Sequence, residues 1–230
     1  IGIEDLRAYL SKFQDKNPNT KANLLKSVKV FFRDFLNRPE LVATFKFPKR
    51  SFQPRQVPSK EDLRRFFDAL ENDRDRLLFL LFASSGLRRS EVLSLSIEDL
   101  DLETRQITPR NHRTGNTKNS WVSFHNQETE PYLKKYLQDS RIESGRIFPF
   151  GEIVIRRAFK KATLKSGIKI SPQVLRFWFA NELGRLGVSD RFIDALQGRT
   201  PRSVLARHYS DFSPERLREV YDKANLTVLS

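Results

Sequence analysis

The chain has 230 residues, 38% of them hydrophobic and 19 of them phenylalanine, enough apolar material for a packed core, which excludes a disordered polypeptide. Its 42 Lys and Arg outweigh 28 Asp and Glu, a formal net charge of +14, and such an excess points to a polyanionic partner, nucleic acid first. The lack of cysteine excludes disulfides, thiolate nucleophiles and cysteine-held zinc, and no apolar run of roughly 18 residues or secretory signal pattern argues for a membrane or an export route.

That composition fits an intracellular protein. Ile1 stands where an initiator methionine would, and methionine is absent throughout. A fragment whose upstream part has been removed is therefore expected.

The first segment reads as helices. Leu6, Tyr9, Leu10 and Phe13 recur at helical spacing and make one apolar face. Asn17-Pro18-Asn19-Thr20 is a break, with Thr20 as N-cap of a helix over 21–37. Its stripe is Leu24, Leu25, Val28, Phe31, Phe32 and Phe35, while Lys26, Lys29 and Arg33 share another face. That basic face is either merely solvated or laid along phosphates.

Residues 47–59 carry three prolines and the basic residues Lys49, Arg50 and Arg55 without periodicity. They read as a semi-extended basic linker and the best domain boundary, giving a partial helical domain over 1–47, a linker over 48–58 and a larger domain over 59–230. Ser59 and Asp62 form a capping box before the stripe Leu63, Phe66, Phe67 and Leu70. The run Leu77 to Ala83 predicts a helix buried on most sides, interrupted by Gly86, and Arg88 begins another helical turn. Residues 104–108 and 120–124 predict short strands, with Gly115-Asn116 as a hairpin signal between them. From there helices are predicted over 128–138, 151–166, 172–186, 189–197, 201–209 and 214–224, the last opened by Ser213-Pro214. The fold class is mainly α with one small antiparallel β-sheet.

Among the tyrosines, Tyr9, Tyr132, Tyr136 and Tyr221 sit at core spacing and read as packing residues. Tyr209 is different: Leu205 and Phe212 allow a packed role, yet Arg202, Arg207, His208, Ser210 and Asp211 surround it with polar groups. Spacing alone leaves both roles open.

Phe82-Ala-Ser-Ser-Gly-Leu-Arg88-Arg-Ser-Glu91 resembles the first arginine box of the tyrosine recombinase (phage integrase) family. Pro172-Gln-Val-Leu-Arg176 is similar to the second box, Leu196-Gln-Gly-Arg199 to the third, and Tyr209 falls where the family keeps its nucleophile. The four boxes occur in order and the resemblance covers nearly the whole chain. Two departures are Gln173 and Arg199, each standing where most members have a histidine. Together with Ala206-Arg-His208-Tyr209 they resemble the integrases of archaeal viruses and plasmids, the fusellovirus type especially.

The resemblance implies a catalytic domain preceded by a truncated core-binding domain that clamps DNA. It implies a site-specific recombinase that cuts and rejoins duplex DNA through a 3′-phosphotyrosine at Tyr209, with four protomers on two DNA sites and no metal or nucleotide cofactor. Arg88, Arg176 and Arg199 would stabilise the phosphate. Gln173, Glu91 and His208 would support them, and Lys26, Lys29, Arg33, Lys49, Arg50 and Arg55 would contact DNA. The family places a lysine acid in the hairpin; Lys118 is assigned rather than Arg113, because a guanidinium is too weak an acid. The resemblance also allows the helix over 214–224 to pack on a neighbouring protomer, although its stripe suits its own chain equally.

The chemistry is coherent on its own terms. Guanidiniums offer bidentate, permanently charged donors to phosphate oxygens whose charge grows in the transition state. Nearby positive charge eases loss of the phenol proton, and an ester to tyrosine conserves the bond energy for rejoining. Rival readings are a helix-turn-helix DNA-binding module over 188–208, topoisomerase-like relaxation, and a metal-dependent nuclease built on Glu98, Asp99 and Asp101. His112, His125 and His208 are scattered and read as polar surface residues.

Overall fold

The structure, a computed structural model, describes residues 1–49, 56–109, 122–199 and 210–230. The chain forms two compact units, Ile1–Gln56 and Val57–Ser230.

In the first unit, helix α1 (Ile3–Ser11) is capped by the Asp5 carboxylate, which accepts from Gly2 N at 2.8 Å. Helix α2 (Pro18–Val30) starts earlier than Thr20: Asn17 is the N-cap, its side chain accepting from Asn19 N at 2.9 Å. Pro18 follows at the first helical position, where a missing N–H costs nothing and its fixed φ favours entry. At Phe31 the helix widens into a π-turn over Phe31–Phe35. The extra residue per turn rotates the downstream face, so the expected continuous stripe breaks. Phe32 is buried with Leu6, Leu41 and Val42, whereas Phe35 is 76% exposed and stacks on Phe31 at 5.3 Å. Tyr9 packs edge-to-face on Phe13 at 5.4 Å but remains 42% exposed, so it is a surface ring and not part of a core.

The second unit opens with α3 (Lys60–Asp68), whose capping box forms as expected. Ser59 Oγ accepts from Asp62 N at 3.1 Å, and the Asp62 carboxylate accepts from Ser59 N at 3.0 Å. Leu63, Phe66, Phe67 and Leu70 are buried. Helix α4 (Asp73–Ser85) is buried on almost every side from Leu77 to Ser85 and contacts α8, α6, α5 and β3, defined below, as the centre of the unit. It ends at Gly86, in the left-handed region with φ of +61°. A Cβ there would sit 2.3 Å from Cδ1 of Phe179, so both the conformation and the close packing demand glycine.

After the short helix α5 (Arg89–Leu93) comes an antiparallel sheet in the order β1 (Leu100–Asp101), β2 (Gln106–Ile107), β3 (Ser123–Phe124). Leu100 pairs with Ile107 and Ile107 with Ser123. The strand expected over 104–108 is shorter, because Asp101 Oδ1 accepts from the N–H groups of Glu103 and Thr104 at 3.0 Å each and Arg105 adopts φ of +59°. These groups build the β1–β2 turn. The expected hairpin over 111–119 lies outside the described residues.

Helices α6 (Glu130–Asp139), α7 (Glu152–Ser166), α8 (Pro172–Arg185), α9 (Asp190–Leu196) and α10 (Pro214–Ala224) complete the unit. The helix expected over 201–209 lies outside the described residues. Leu217, Tyr221 and Ala224 of α10 enter the core of their own unit, with Tyr221 against Phe124 at 5.5 Å. The residues after α10 are strapped down by polar groups. The Glu128 carboxylate accepts from the N–H groups of Val228, Leu229 and Ser230, and Lys60 Nζ donates to Ser230 O at 2.8 Å. Arg64 donates to Leu229 O. Among the described residues no helix is long and apolar enough to cross a membrane.

Candidate active site

The last carbonyls of any helix lack intrahelical partners and carry the negative end of its dipole. The C-terminal end of α4 is where the arginine boxes meet. Gly86 turns the chain so that Arg88 becomes the N-cap of α5, its N–H donating to Glu91 Oε2 at 2.6 Å. The same side chain locks the guanidinium, since Arg88 Nη1 donates to Glu91 Oε1 at 2.7 Å. Arg88 Nη2 also donates to Gly198 O at 3.4 Å. Glu91 therefore orients Arg88 through both its backbone and its side chain.

Arg176 reaches the same point from α8. That helix begins at Pro172 behind the cap Ser171 and buries Leu175, Trp178 and Phe179 on the face that carries Arg176 inward. Arg176 is 5% exposed. It donates through Nη1 to Gly86 O and through Nη2 to Gln197 O, the latter at 2.6 Å. Burial and the neighbouring Arg88, with a further contribution from Arg199, lower its pKa to about 10, against the opposing pull of Glu91 and Asp194. It therefore stays protonated at neutral pH, held where two carbonyls and a helix C-terminus favour a cation.

Arg199 follows the left-handed Gly198, φ +59°, and is tethered to Asp194 by Nη1 to Oδ1 at 3.0 Å. It is half exposed, so it is the accessible member of the three. Gln173 is exposed at the start of α8 and lines a cleft of about 490 Å³ with Arg88, Arg89, Arg146 and Arg176. Two guanidiniums from separate segments thus meet at one helix end, with Arg199 close enough to act electrostatically on Arg176. Such a cluster is suited to an anion whose oxygens can accept several charged donors at once.

The other expected site residues are not all brought there. Tyr209, Lys118, His208, Arg50 and Arg55 lie outside the described residues, as do Arg113 and His112. Lys26, Lys29, Arg33 and Lys49 belong to the first unit. There Arg33 is already paired to Asp34, Nε to Oδ1 at 2.5 Å and Nη2 to Oδ2 at 2.8 Å, and Lys29 Nζ lies 5.4 Å from the centre of the Phe47 ring. The acidic run has turn-building work: Glu98 Oε1 accepts from Gly145 N at 3.0 Å and Asp99 Oδ2 from Ser96 N at 2.9 Å.

A further expectation is corrected here. His125 is not a surface residue but fully buried, with Nδ1 3.3 Å from Asn126 O. A carbonyl can only accept, so Nδ1 carries the proton. Burial lowers its pKa. Gln197 is the residue that sequence reasoning passed over. It is fully buried and its Nε2 donates to Arg176 O at 2.7 Å. It stands inside the third box, but nothing in that pattern reveals a tertiary partner.

With this geometry the chain joins a known class. It belongs to the Phage integrase family, whose sequence profile matches residues 57–216, and is accordingly a DNA strand transferase of the tyrosine recombinase type. It is 25% identical over 234 residues to tyrosine recombinase XerA of Saccharolobus solfataricus, covering 97% of this chain and 79% of that one. It is 31% identical to tyrosine recombinase XerC of Lactobacillus delbrueckii subsp. bulgaricus, covering 96% and 82%. The fold is shared with a crystal structure of XerA recombinase (TM-score 0.56, 23% identity, 99% and 84% coverage). It is shared also with a lambda integrase dimer bound to a core site (TM-score 0.65, 18% identity, 95% and 80% coverage). Neither a bare helix-turn-helix module nor topoisomerase-like relaxation is favoured by this company.

Proposed function

We propose that the chain is a site-specific recombinase in which Tyr209 attacks a DNA phosphate held by Arg88, Arg176 and Arg199. The observation that carries this reading is the meeting of Arg88 and Arg176 at the α4 end, with Arg199 within their electrostatic reach, in a chain of this family. The Tyr209 phenol loses its proton to solvent, and its oxygen forms a bond to phosphorus as the bond to the 5′-oxygen breaks. Lys118 gives its proton to that leaving oxygen, and the strand is later rejoined by reversal of the same step. Arg176 and Arg88 are oriented before substrate arrives, so little reorganisation accompanies charge development. Gln173 donates a hydrogen bond to a phosphate oxygen and transfers no proton. No metal or nucleotide enters the reaction.

The first unit acts as the core-binding half of a clamp on duplex DNA, with Lys26, Lys29 and Lys49 toward phosphates, and Arg50 and Arg55 continuing that track. Four protomers assemble on two DNA sites, inside the cell, where the DNA is. Gln173 and Arg199 in place of two histidines support kinship with integrases of archaeal viruses and plasmids, and several of the similar XerA proteins come from archaea.

The test is a nicked suicide duplex incubated with the chain and run on a denaturing gel. A protein–DNA adduct that disappears in Tyr209→Phe, with peptide mapping of the linkage to Tyr209, supports the assignment. An adduct that persists in that variant overturns it. Cleavage that needs a divalent ion and leaves no adduct would indicate a nuclease.

A further inference from the structure

Three successive carbonyls at the end of α4 are each satisfied by a different part of the unit. Ser84 O accepts from the Tyr221 hydroxyl of α10 at 2.8 Å. Ser85 O accepts from the Ser123 hydroxyl of β3 at 2.6 Å. Gly86 O accepts from Arg176 of α8. Ser84, Ser85, Ser123 and Tyr221 are all buried, so water does not substitute for these donors. The turn is further drawn in by Ser85 Oγ, which accepts from Leu87 N at 3.3 Å, and it leads directly to Arg88.

The chain order gives this arrangement its meaning. Ser123 follows the segment that holds Lys118, and Tyr221 lies on the first helix after Tyr209. The three donors come from β3, α10 and α8, the last being the element that carries the second arginine. They fasten on three consecutive backbone oxygens, the last of them two residues before the first arginine.

We infer that Ser123 and Tyr221 are positioning residues, which hold the turn Ser84–Arg88 in place and so set the mutual placement of Arg88 and Arg176 on the phosphate. This rests on the recombinase reading above. Neither hydroxyl touches DNA. Each acts through a backbone carbonyl, and a misplacement of about 1 Å at a reacting group is enough to cost on the order of 10²-fold in rate.

The experiment compares Tyr221→Phe and Ser123→Ala, each of which removes one hydroxyl, with Tyr136→Phe. The Tyr136 hydroxyl donates to Ile147 O at 3.4 Å and takes no part in the turn. Single-turnover adduct formation on the nicked duplex and equilibrium DNA affinity are measured well below each variant's melting temperature. The expected result for Tyr221→Phe and Ser123→Ala is a cleavage rate lower by about 10- to 100-fold with DNA affinity within about twofold, and a wild-type rate for Tyr136→Phe. Wild-type rates in both hydroxyl-deleted variants overturn the positioning role, and so do losses of rate that merely parallel losses of affinity and melting temperature. A wild-type chain that forms no adduct overturns the recombinase reading, and the positioning proposal with it.

Discussion

Gln197 and Arg176 hold each other at both ends: the glutamine amide donates to Arg176 O at 2.7 Å, and the arginine guanidinium donates to Gln197 O at 2.6 Å. The pair ties the third box to the second. Replacing Gln197 by Leu removes one neutral hydrogen bond, about 0.5–1.5 kcal/mol net. It also removes Oε1, a buried atom with no partner among the described residues, so the two changes offset. The expected outcome is a small shift in melting temperature together with a cleavage rate at least about tenfold lower. Calorimetry and single-turnover cleavage on the same variant separate the two.

Gly86→Ala is expected to be far more damaging than its size suggests. The left-handed backbone alone costs a Cβ-bearing residue about 1–2 kcal/mol, and contact with the Phe179 ring at 2.3 Å adds an overpacking cost of about 1–3 kcal/mol. A second substitution, Phe179→Leu, should recover part of the packing cost in the Gly86→Ala background and none of the backbone cost. Denaturant unfolding of the single and double variants measures both parts. A Gly86→Ala chain as stable as wild type would contradict this account.

His125 makes the second unit sensitive to mild acid. Burial lowers its folded pKa below the ordinary value near 6.5. Between those two values the unfolded chain binds the extra proton and the folded chain does not, so stability falls as pH falls. The slope is at most about 1.4 kcal/mol per pH unit. The stability is fully present above pH ~6.5 and is lost as the pH drops toward the folded pKa. Thermal melts from pH 7.5 to pH 5.5 should show a decline that is absent in His125→Asn, which keeps a donor toward Asn126 but does not titrate.

The first unit offers a test in salt. If Lys26 lies on phosphate, Lys26→Ala should flatten the dependence of log affinity on log salt by about 0.9. Arg33→Ala should change it by less, because the Asp34 carboxylate already neutralises that guanidinium. Titrations of duplex DNA at several salt concentrations give the slopes directly, and equal slopes for wild type and Lys26→Ala would remove Lys26 from the contact surface.

Much of this molecule was legible in its sequence because the cues were local. The Ser59–Asp62 box, the all-round apolar run of α4 and the interrupting Gly86 each depend on neighbours a few residues away, and all three stand as read. The arginines of the three boxes were legible through their pattern, and the fold brings Arg88, Arg176 and Arg199 within electrostatic reach of one another. What escaped depends on distant partners. The π-turn at Phe31 breaks a stripe that helical periodicity extends without interruption. The burial of His125 is set by the tertiary fold, and nothing in its own neighbourhood announces it. Ser123, Tyr221 and Gln197 were ordinary residues until the carbonyls they serve were located. Periodicity says which side of a helix is inward; it does not say which backbone oxygen waits there.

The strap beyond α10 has a topological consequence. Lys60, at the first turn of α3, reaches Ser230 O, and Arg64, one turn later, reaches Leu229 O. The helix that opens the second unit and the stretch that follows α10 are thus fastened side by side, so two pieces of chain some 165 residues apart brace one another, and loosening either frees the other.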